Sequence, residues 1–417
     1  MTNNKNLFLI SYSYPPIQSA ESLLVYRTAI HLANLGWKIT VLTTNAKQTV
    51  FPIDNSIKYS HNNIKIFRTN SHENILTTLP YLRVIFFRII EFLGVPESGF
   101  LWYPGAMKIA KKILKGEKFQ AIYSRACPHV SNLVGLKIKK ISGIRWVSHF
   151  SDPWLNNPYY KMSKQQKSIT KKIEKDIIRY SDVVVYTTKE AANVSTKEFG
   201  SNYCKKISVQ PHGYDDSYIL THGLEKQIKN TKMKIVYTGV FYDNIRTPIS
   251  FLEAISLINN SINKIEDLEV LFIGPDMEKY ELLTIKLQID KIVRFTGNKS
   301  FIDCQRYLWE ADVLLVIDAI SNGPNMFFPS KLVDYLAFKK PILGLTPIKG
   351  PTAEILNKIG SPIINPNDRN EIGRVILEFL IRWRENTLEI INPMEAEKYN
   401  MKNVINDLDR LLQNISI

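Results

Sequence analysis

Short apolar runs alternate with helical patterns from the start of the chain. Residues 6–12 form an apolar run without a helical face, and residues 19–35 repeat apolar side chains at helical spacing until Gly36. Residues 38–43 then form a second apolar run. This order of strand, helix and strand predicts a βαβ unit in a parallel, doubly wound sheet.

Similar apolar runs continue through the rest of the chain. In the first half, further strands are predicted at residues 65–68, 121–123, 145–149, 183–186 and 206–211. A polar stretch at residues 221–232 indicates a linker. Beyond it, strands are predicted at residues 234–238, 269–273, 293–296, 313–317 and 341–345. These later runs end at or next to Gly, Asp or Pro, which favours the carboxyl ends of parallel strands.

The two halves together predict an α/β chain of two Rossmann-like, doubly wound parallel-sheet domains that face a central cleft. We expect the first domain over residues 1–220 and the second over residues 221–390. A C-terminal helical segment over residues 391–417 is expected to pack back on the first domain. Because open parallel sheets bind ligands at the carboxyl ends of their strands, the cleft is the expected binding site.

Composition narrows the class of protein only slightly. The chain has 417 residues, of which 45% are hydrophobic and 22% charged, as in ordinary globular proteins of two or three domains. Its three cysteines are scattered without metal-type spacing, which favours a reducing compartment. The apolar stretch at residues 7–10 is too short for a signal peptide, and no apolar run could span a membrane. We therefore expect a cytoplasmic protein.

The net charge of +15 lies entirely in the first half of the chain. Residues 1–220 contain 30 Lys and Arg against 14 Asp and Glu, whereas the remainder contains 24 against 25. A basic half can bind nucleic acid, anionic lipid or an anionic substrate. The alternative is an ordinary surface rich in Lys and Ile, as an AT-rich genome would encode.

Short motifs follow the predicted strands in a fixed order. They are Tyr14-Pro15-Pro16, Ser151-Asp152-Pro153-Trp154, Pro211-His212-Gly213, Tyr237-Thr238-Gly239, Arg246, and Phe328-Pro329-Ser330-Lys331 followed by Asp334-Tyr335-Leu336. On these motifs the chain resembles the retaining family-four glycosyltransferases of the GT-B fold. In particular, it is similar to the bacterial subset with an Asp-Pro-Trp motif, many of which build surface polysaccharides. The resemblance runs from near residue 7 to near residue 360.

The second half carries the candidate donor site. Lys331 follows Pro329 at the start of an apparent helix, where free backbone N–H groups and a cation suit a diphosphate. The resemblance implies that Asp334 bonds the ribose hydroxyls and that Arg246 binds phosphate. The full set of expected donor-binding residues is Gly239, Arg246, Gly297, Asn325, Phe328, Ser330, Lys331 and Asp334.

The chain departs from the family pattern at three further positions of the candidate donor site. Met326 stands where the resemblance implies an acid that contacts the donor sugar, with Asn325 as a replacement polar group. Val240 and Thr247 stand where the family usually has a further Arg and Lys. The expected phosphate clamp therefore has two cations, Arg246 and Lys331, which are also our candidate catalytic residues together with Asp152.

The first half carries the candidate acceptor side. Asp152 follows a predicted strand end and suits a binding or catalytic carboxylate. The other expected cleft residues are Tyr14, Ser19, Glu21, His129, His149 and Trp154. No His, Cys or Asp cluster has metal-ligand spacing, so we expect no metal and no cofactor apart from the nucleotide-sugar substrate.

The resemblance implies transfer of a hexose from a nucleoside diphosphate sugar, with UDP favoured, to an acceptor hydroxyl. Retention of configuration and a role in capsule, lipopolysaccharide or exopolysaccharide synthesis are expected. Alternatives are an inverting transferase with Asp152 as base, a sugar-nucleotide epimerase, a basic nucleic-acid-binding protein and a non-catalytic scaffold. No RNA-binding motif or DNA-recognition helix supports nucleic acid as a partner.

Residues 79–115 combine apolar and aromatic side chains with Arg83 and Arg88, and they end in a lysine-rich helix pattern. This combination is typical of a helix that lies in a membrane interface. A lipid-linked saccharide acceptor would make docking on the inner face of the cell membrane useful. The alternative is a helix pair buried against the first sheet.

Overall fold

The computed structural model describes residues 5–73, 84–85, 88–90, 92, 94–217, 230–242, 245–261, 265–319 and 325–415. The chain divides into two compact units, Met1–Gly213 with Met401–Ile417 and Tyr214–Asn400. These limits differ from the domain boundaries expected after residues 220 and 390. Most of the predicted linker at 221–232 lies outside the described residues.

Each unit contains one parallel sheet. The first has seven strands, β1 Asn6–Ile10, β2 Lys38–Thr44, β3 Ile64–Thr69, β4 Ala121–Ala126, β5 Arg145–Phe150, β6 Val183–Tyr186 and β7 Ile207–Val209, in the order β3-β2-β1-β4-β5-β6-β7. The second has six, β8 Met233–Thr238, β9 Leu268–Ile273, β10 Val293–Phe295, β11 Val313–Ile317, β12 Ile342–Leu345 and β13 Ile363–Ile364, in the order β10-β9-β8-β11-β12-β13.

Helices follow most of the strands. They are α1 Ala20–Asn34, α2 Tyr103–Gly116, α3 Val130–Ser142, α4 Lys164–Tyr180, α5 Lys189–Phe199, α6 Ile249–Ser261, α7 Glu278–Lys286, α8 Phe301–Glu310, α9 Ser330–Leu336, α10 Pro351–Lys358, α11 Arg369–Arg384, α12 Pro393–Glu397 and α13 Met401–Asn414. Short 3-10 helices cover Ala46–Gln48, Ser98–Trp102 and Ser201–Lys206.

Local signals set where these helices begin and end. Ser19 caps α1 by accepting a hydrogen bond from the Ser22 N–H, and Ser163 with Gln166 forms a capping box at α4. Gly143 ends α3 with φ +71°, a left-handed conformation that glycine adopts without cost. At these positions the capping residues therefore fix the residue at which each helix begins or ends.

Helices cover both faces of the first sheet. As a result β1 is fully buried from Leu7 to Ile10, as expected for a continuous apolar strand in a parallel sheet. The C-terminal helix α13 belongs to this unit and packs against α1. There Leu408 and Leu412 are buried, and the Trp37 indole N–H donates to Asp409 Oδ1 at 2.7 Å.

The fold predicted from the pattern of apolar runs is confirmed. All ten runs that we named after the first βαβ unit correspond to strands, with ends that differ by at most three residues. Strand β13 was not predicted, because two residues are too few to show a period. Among the described residues, no helix is long and apolar enough to cross a membrane.

Candidate functional site

The strand order of the second sheet marks one place for a ligand. β8 and β11 are neighbours, and the chain runs outward from them toward opposite edges. Ligands bind parallel sheets at such a switch point, beyond the carboxyl ends of the strands. Here β8 ends at Thr238 and Gly239, whereas β11 is followed by Asp318.

Gly239 permits a lysine to approach the end of β8. Its φ of +121° is unfavourable for any residue with a side chain, and a Cβ here would lie 2.7 Å from Lys331 Nζ. Lys331 extends from the first turn of α9, and its Nζ lies 3.7 Å from the centroid of the Tyr237 ring. The glycine predicted from the Tyr-Thr-Gly motif and the predicted lysine therefore meet.

The ammonium of Lys331 is buried. Within the described parts of the chain, no hydrogen-bond acceptor lies within reach of its Nζ. Burial, and secondly the positive charge of Arg246, hold the pKa of Lys331 well below its ordinary value, while Asp318 acts in the opposite direction. A buried charge is costly unless it is paired, so this position favours an anion.

Arg246 lies beside this lysine on a tight turn after β8. The turn is closed by two backbone hydrogen bonds, from Arg246 N–H to Tyr242 O at 2.8 Å and from Tyr242 N–H to Arg246 O at 3.0 Å. The guanidinium carbon lies 5.3 Å from the centroid of the Tyr242 ring, and Nη2 lies 4.0 Å from Asp318 Oδ1. Two cations therefore share the end of β8, and their role as a phosphate clamp stays a prediction.

Asp318 was not among the residues expected from sequence. Its carboxylate is buried and accepts four hydrogen bonds, from the Ala319 N–H at 2.8 Å, Asn325 Nδ2 at 2.9 Å, Thr346 Oγ1 at 3.1 Å and Thr352 Oγ1 at 2.8 Å. The only feature of the sequence that points to Asp318 is its place directly after an apolar strand. The hydrogen-bond partners of Asp318 come from distant parts of the sequence, which explains why this residue was not predicted from the sequence.

The side chain of Asn325 makes two hydrogen bonds within the protein at this site. Its amide nitrogen donates to Asp318, and its Oδ1 accepts from the Phe327 N–H at 3.2 Å. Gly350, with φ +132°, allows a close approach, since a Cβ there would lie 2.8 Å from Asn325 Cβ. The expected contact of Asn325 with a donor sugar therefore has to compete with these bonds.

The other expected donor residues lie around this centre in different settings. Phe328 is part of the core, with its ring 5.7 Å from that of Tyr399. Ser330 and Asp334 are half-buried on α9. Gly297 follows β10, and its carbonyl accepts from the Gly274 N–H at 3.1 Å. The loop with Gly323 and Pro324 lies outside the described residues.

The switch point of the first sheet lies between β1 and β4 and holds a buried ion pair. Arg125 Nε donates to Glu21 Oε1 at 2.7 Å, and Ser151 Oγ donates to Glu21 Oε2 at 2.8 Å. Arg125 Nη2 also donates to His212 Nδ1 at 3.1 Å. Glu21, Ser151 and His212 come from three separate parts of the chain, and the structure brings them together.

The two expected cleft histidines are buried and neutral. Tyr123 Oη lies 2.6 Å from His149 Nδ1, and burial, followed by Arg125, holds the pKa of His149 well below its ordinary value. Burial lowers the pKa of His129 to about 3, and its ring stacks on Trp154 with centroids 4.5 Å apart. Both imidazoles are therefore packed, uncharged groups inside the unit.

Tyr14 and Ser19 also have structural settings. Tyr14 is buried, and its ring meets that of Tyr26 edge-on at 6.3 Å. Ser19 is the N-cap of α1. Their expected place beside an acceptor stays a prediction.

Asp152 lies half-buried on the loop after β5. Glu174 of α4 holds this loop in place, because its Oε2 accepts from the Leu155 N–H at 2.9 Å. Burial raises the pKa of Glu174 to about 7, and the backbone hydrogen bonds from Leu155 and Trp154 oppose this rise. Among the described residues, no group of three or more His, Cys, Asp or Glu could hold a metal ion.

Two family models match the chain, one on each half. The model described as Glycosyltransferase Family 4 matches residues 22–218, and the model described as Glycosyl transferases group 1 matches residues 232–381. No curated protein matches the sequence.

Solved glycosyltransferases share the fold over nearly the whole chain. A sucrose-phosphate synthase from Thermosynechococcus elongatus has a TM-score of 0.66 at 14% identity and covers 99% of both chains. WaaB, described as a lipopolysaccharide outer core galactosyltransferase, has a TM-score of 0.58 at 13% identity and covers 98% of this chain and 99% of its own. A structure described as trehalose-6-phosphate from E. coli, bound with UDP-2-fluoro glucose, has a TM-score of 0.63 at 12% identity and covers 98% of this chain and 99% of its own. These similarities show that the fold is GT-B.

The buried Glu174 makes the stability of the first unit depend on pH. A carboxyl pKa raised to about 7 stabilises the folded state below the ordinary glutamate pKa, and this contribution is lost as pH rises through about 7. In the wild type, the free energy of unfolding should fall between about pH 5 and about pH 8. We expect this fall to be about 1–3 kcal/mol smaller in Glu174→Gln. Urea unfolding at both pH values measures this difference. Glu266→Gln, at an exposed position in the second unit, is the control, and an unchanged pH dependence in Glu174→Gln would contradict the assignment.

Proposed function

We propose that this chain, which is a glycosyltransferase of the GT-B fold, transfers a hexose from a nucleoside diphosphate sugar to an acceptor hydroxyl. The observation that carries the proposal is the buried ammonium of Lys331 beside Arg246, at the switch point of the second sheet. A diphosphate supplies the negative charge and the several acceptor oxygens that these two cations favour.

The two cations suit the chemistry of the leaving group. Cleavage of the bond between the sugar and the diphosphate leaves negative charge on a phosphate oxygen. Lys331 and Arg246, fixed in a poorly solvated site, stabilise that charge as it develops. We propose that these side chains do so without a metal ion.

UDP is the nucleotide we favour. The support is a structural neighbour of the same fold that was described with UDP-2-fluoro glucose bound. Asp334, half-buried on α9, is the carboxylate proposed to accept hydrogen bonds from the ribose hydroxyls. Gly297 and its neighbours after β10 are proposed to receive the base.

Retention of configuration is the stereochemistry we propose. In this scheme the leaving phosphate accepts the proton of the attacking hydroxyl on the same face of the sugar, so no strong general base is needed. This scheme suits the first unit, because His129 and His149 are buried and their lowered pKa values make both imidazoles weak bases. Asp152 is proposed to bind the acceptor.

The proposed setting is synthesis of a bacterial surface polysaccharide at the cytoplasmic face of the cell membrane. WaaB, one structural neighbour, is described as a lipopolysaccharide galactosyltransferase. Four exposed apolar side chains of the first unit support this setting, namely Val84, Ile85, Ile89 and Phe92, which are 57%, 53%, 50% and 79% exposed and which we propose as the membrane-facing patch. Of the segment expected to form an interfacial helix, residues 79–83, 86, 87, 91 and 93 lie outside the described residues. Its later part is buried in the first unit instead, as the alternative of a helix packed on the first sheet expects: Trp102 has no exposed surface, and α2 buries Ala106, Met107, Ala110 and Ile113.

Basic side chains lie next to this patch. Phe92 lines a shallow groove together with Arg88 and Lys164, the first residue of α4. Further lysines are exposed along α4, namely Lys167, Lys171, Lys172 and Lys175. Apolar side chains beside such charges suit an anionic lipid surface, where each nearby cation contributes about 1 kcal/mol.

Nucleotide binding tests the donor site. We expect Lys331→Ala to weaken UDP binding by about 10- to 100-fold, because a charged hydrogen bond to phosphate contributes about 1.5–3 kcal/mol. Isothermal titration calorimetry measures the dissociation constant. Lys358→Ala, an exposed lysine at the end of α10, is the matched control and should leave it unchanged. Equal affinities of Lys331→Ala and the wild type would rule out the proposed site.

The stereochemistry of the product tests the mechanism. With a UDP-hexose that supports turnover, NMR of the first-formed glycoside should show the anomeric configuration of the donor. The inverted configuration would instead support an inverting transferase and would leave Asp152 as the candidate base.

Vesicle binding tests the proposed membrane surface. We expect the chain to sediment with vesicles of phosphatidylglycerol and phosphatidylcholine, and less so at high salt, because salt screens surface charge. Replacing Ile89 and Phe92 together with Ser should abolish most of this binding. Replacing Leu282 and Ile285 with Ser, at exposed positions of α7, is the matched control. Equal sedimentation of the two double variants would exclude this patch as the docking surface.

A further inference from the structure

Asp318 is a buried anion at the centre of the proposed donor site. Its side chain has no exposed surface, and four protein donors occupy its oxygens. The donors come from the end of β11, the segment before α9, the residue after β12 and the second residue of α10. A carboxylate held in this way has a fixed position and is not available to contact a substrate.

Two cations face this carboxylate from other elements. Arg246 Nη2 lies 4.0 Å from Asp318 Oδ1. Lys331 Nζ lies on the ring of Tyr237, at the end of the neighbouring strand, and experiences the charges of both Arg246 and Asp318. Two buried cations repel each other, and a fixed anion nearby lowers the free energy of holding them together.

We propose that Asp318 is a positioning residue of the donor site, whose fixed carboxylate holds Arg246 and Lys331 ready for the diphosphate without touching the donor itself. This inference rests on the proposed function. It assigns a role to a residue that is not part of any motif we identified in the sequence.

The role of Asp318 has a consequence for proton uptake. The charged and titratable groups that face Lys331 are Arg246 from the turn after β8, Tyr237 from β8 and Asp318 from β11. Burial raises the pKa of Tyr237 above its ordinary value, so this phenol stays neutral. Burial and Arg246 lower the pKa of Lys331, and Asp318 alone of the three raises it. Without the carboxylate, Lys331 loses its proton more readily, and a diphosphate can bind only as the proton returns.

Calorimetry of UDP binding between about pH 6 and about pH 9, in buffers of different ionisation enthalpy, tests this inference. We expect Asp318→Asn to weaken binding about 10-fold or more at the alkaline end and clearly less at the acidic end. We also expect the variant to take up more protons per bound UDP than the wild type. In a Lys331→Arg background the pH-dependent part of the effect should vanish, because arginine stays protonated.

Two further variants separate this role from general damage. Asp312→Asn removes a carboxylate at the opposite end of β11, where it accepts from the Lys234 N–H, and should leave proton uptake unchanged. If Asp318→Asn does not fold, replacing Thr346 and Thr352 together with Val removes two of the four donors while the charge stays. We expect that double variant to lose affinity at both ends of the pH range, because the carboxylate loses its fixed position while its charge still favours the protonated lysine.

The possible results distinguish the two proposals. An equal loss of affinity at every pH in Asp318→Asn would show Asp318 to be only a structural residue and would overturn the inference. Unchanged binding in Asp318→Asn or in the folded double Val variant would overturn it as well. If the wild type binds neither UDP nor inorganic pyrophosphate, the phosphate clamp itself is wrong and both proposals fail.

Discussion

The burial of the Lys331 ammonium at the end of β8 is the constraint on which the second unit depends. No acceptor within the described residues reaches its Nζ, and its nearest neighbours are an aromatic ring, an arginine and a carboxylate. Gly239 has to be a glycine because its backbone conformation and the approach of Lys331 exclude a side chain. The parallel sheet places the other two charged side chains near this lysine, because the carboxyl ends of β8 and β11 bring Arg246 and Asp318 to the same edge.

The two switch points differ in how their charges are balanced. In the first unit Arg125 is paired with Glu21 and His212, and Ser151 completes the bonding of the glutamate. In the second unit two cations face one carboxylate whose oxygens already accept four hydrogen bonds. The second switch point therefore favours an added anion, whereas in the first both oxygens of Glu21 are paired, one with Arg125 and one with Ser151. The proposed diphosphate site accordingly lies in the second unit.

The fold could be predicted from the sequence because parallel strands buried on both faces form continuous apolar runs, as Val313–Ile317 shows. Motif residues at strand ends, such as Gly239 and Lys331, could be predicted to meet for the same reason. Asp318 could not, because its importance depends on Thr346 and Thr352, which only the folded chain brings to it. Sequence also does not distinguish a buried aromatic or histidine from an exposed one, so Phe328, His129 and Trp154 were expected in a cleft and lie packed within their units.

The central claim is that the second unit binds a diphosphate through Lys331 and Arg246. A crystal structure of the chain with UDP tests it most directly. We expect phosphate oxygens about 3 Å from Lys331 Nζ and from the Arg246 guanidinium, the distance of a charged hydrogen bond. A diphosphate bound elsewhere, with Lys331 Nζ still on the ring of Tyr237 and in contact with no phosphate oxygen, would contradict the claim.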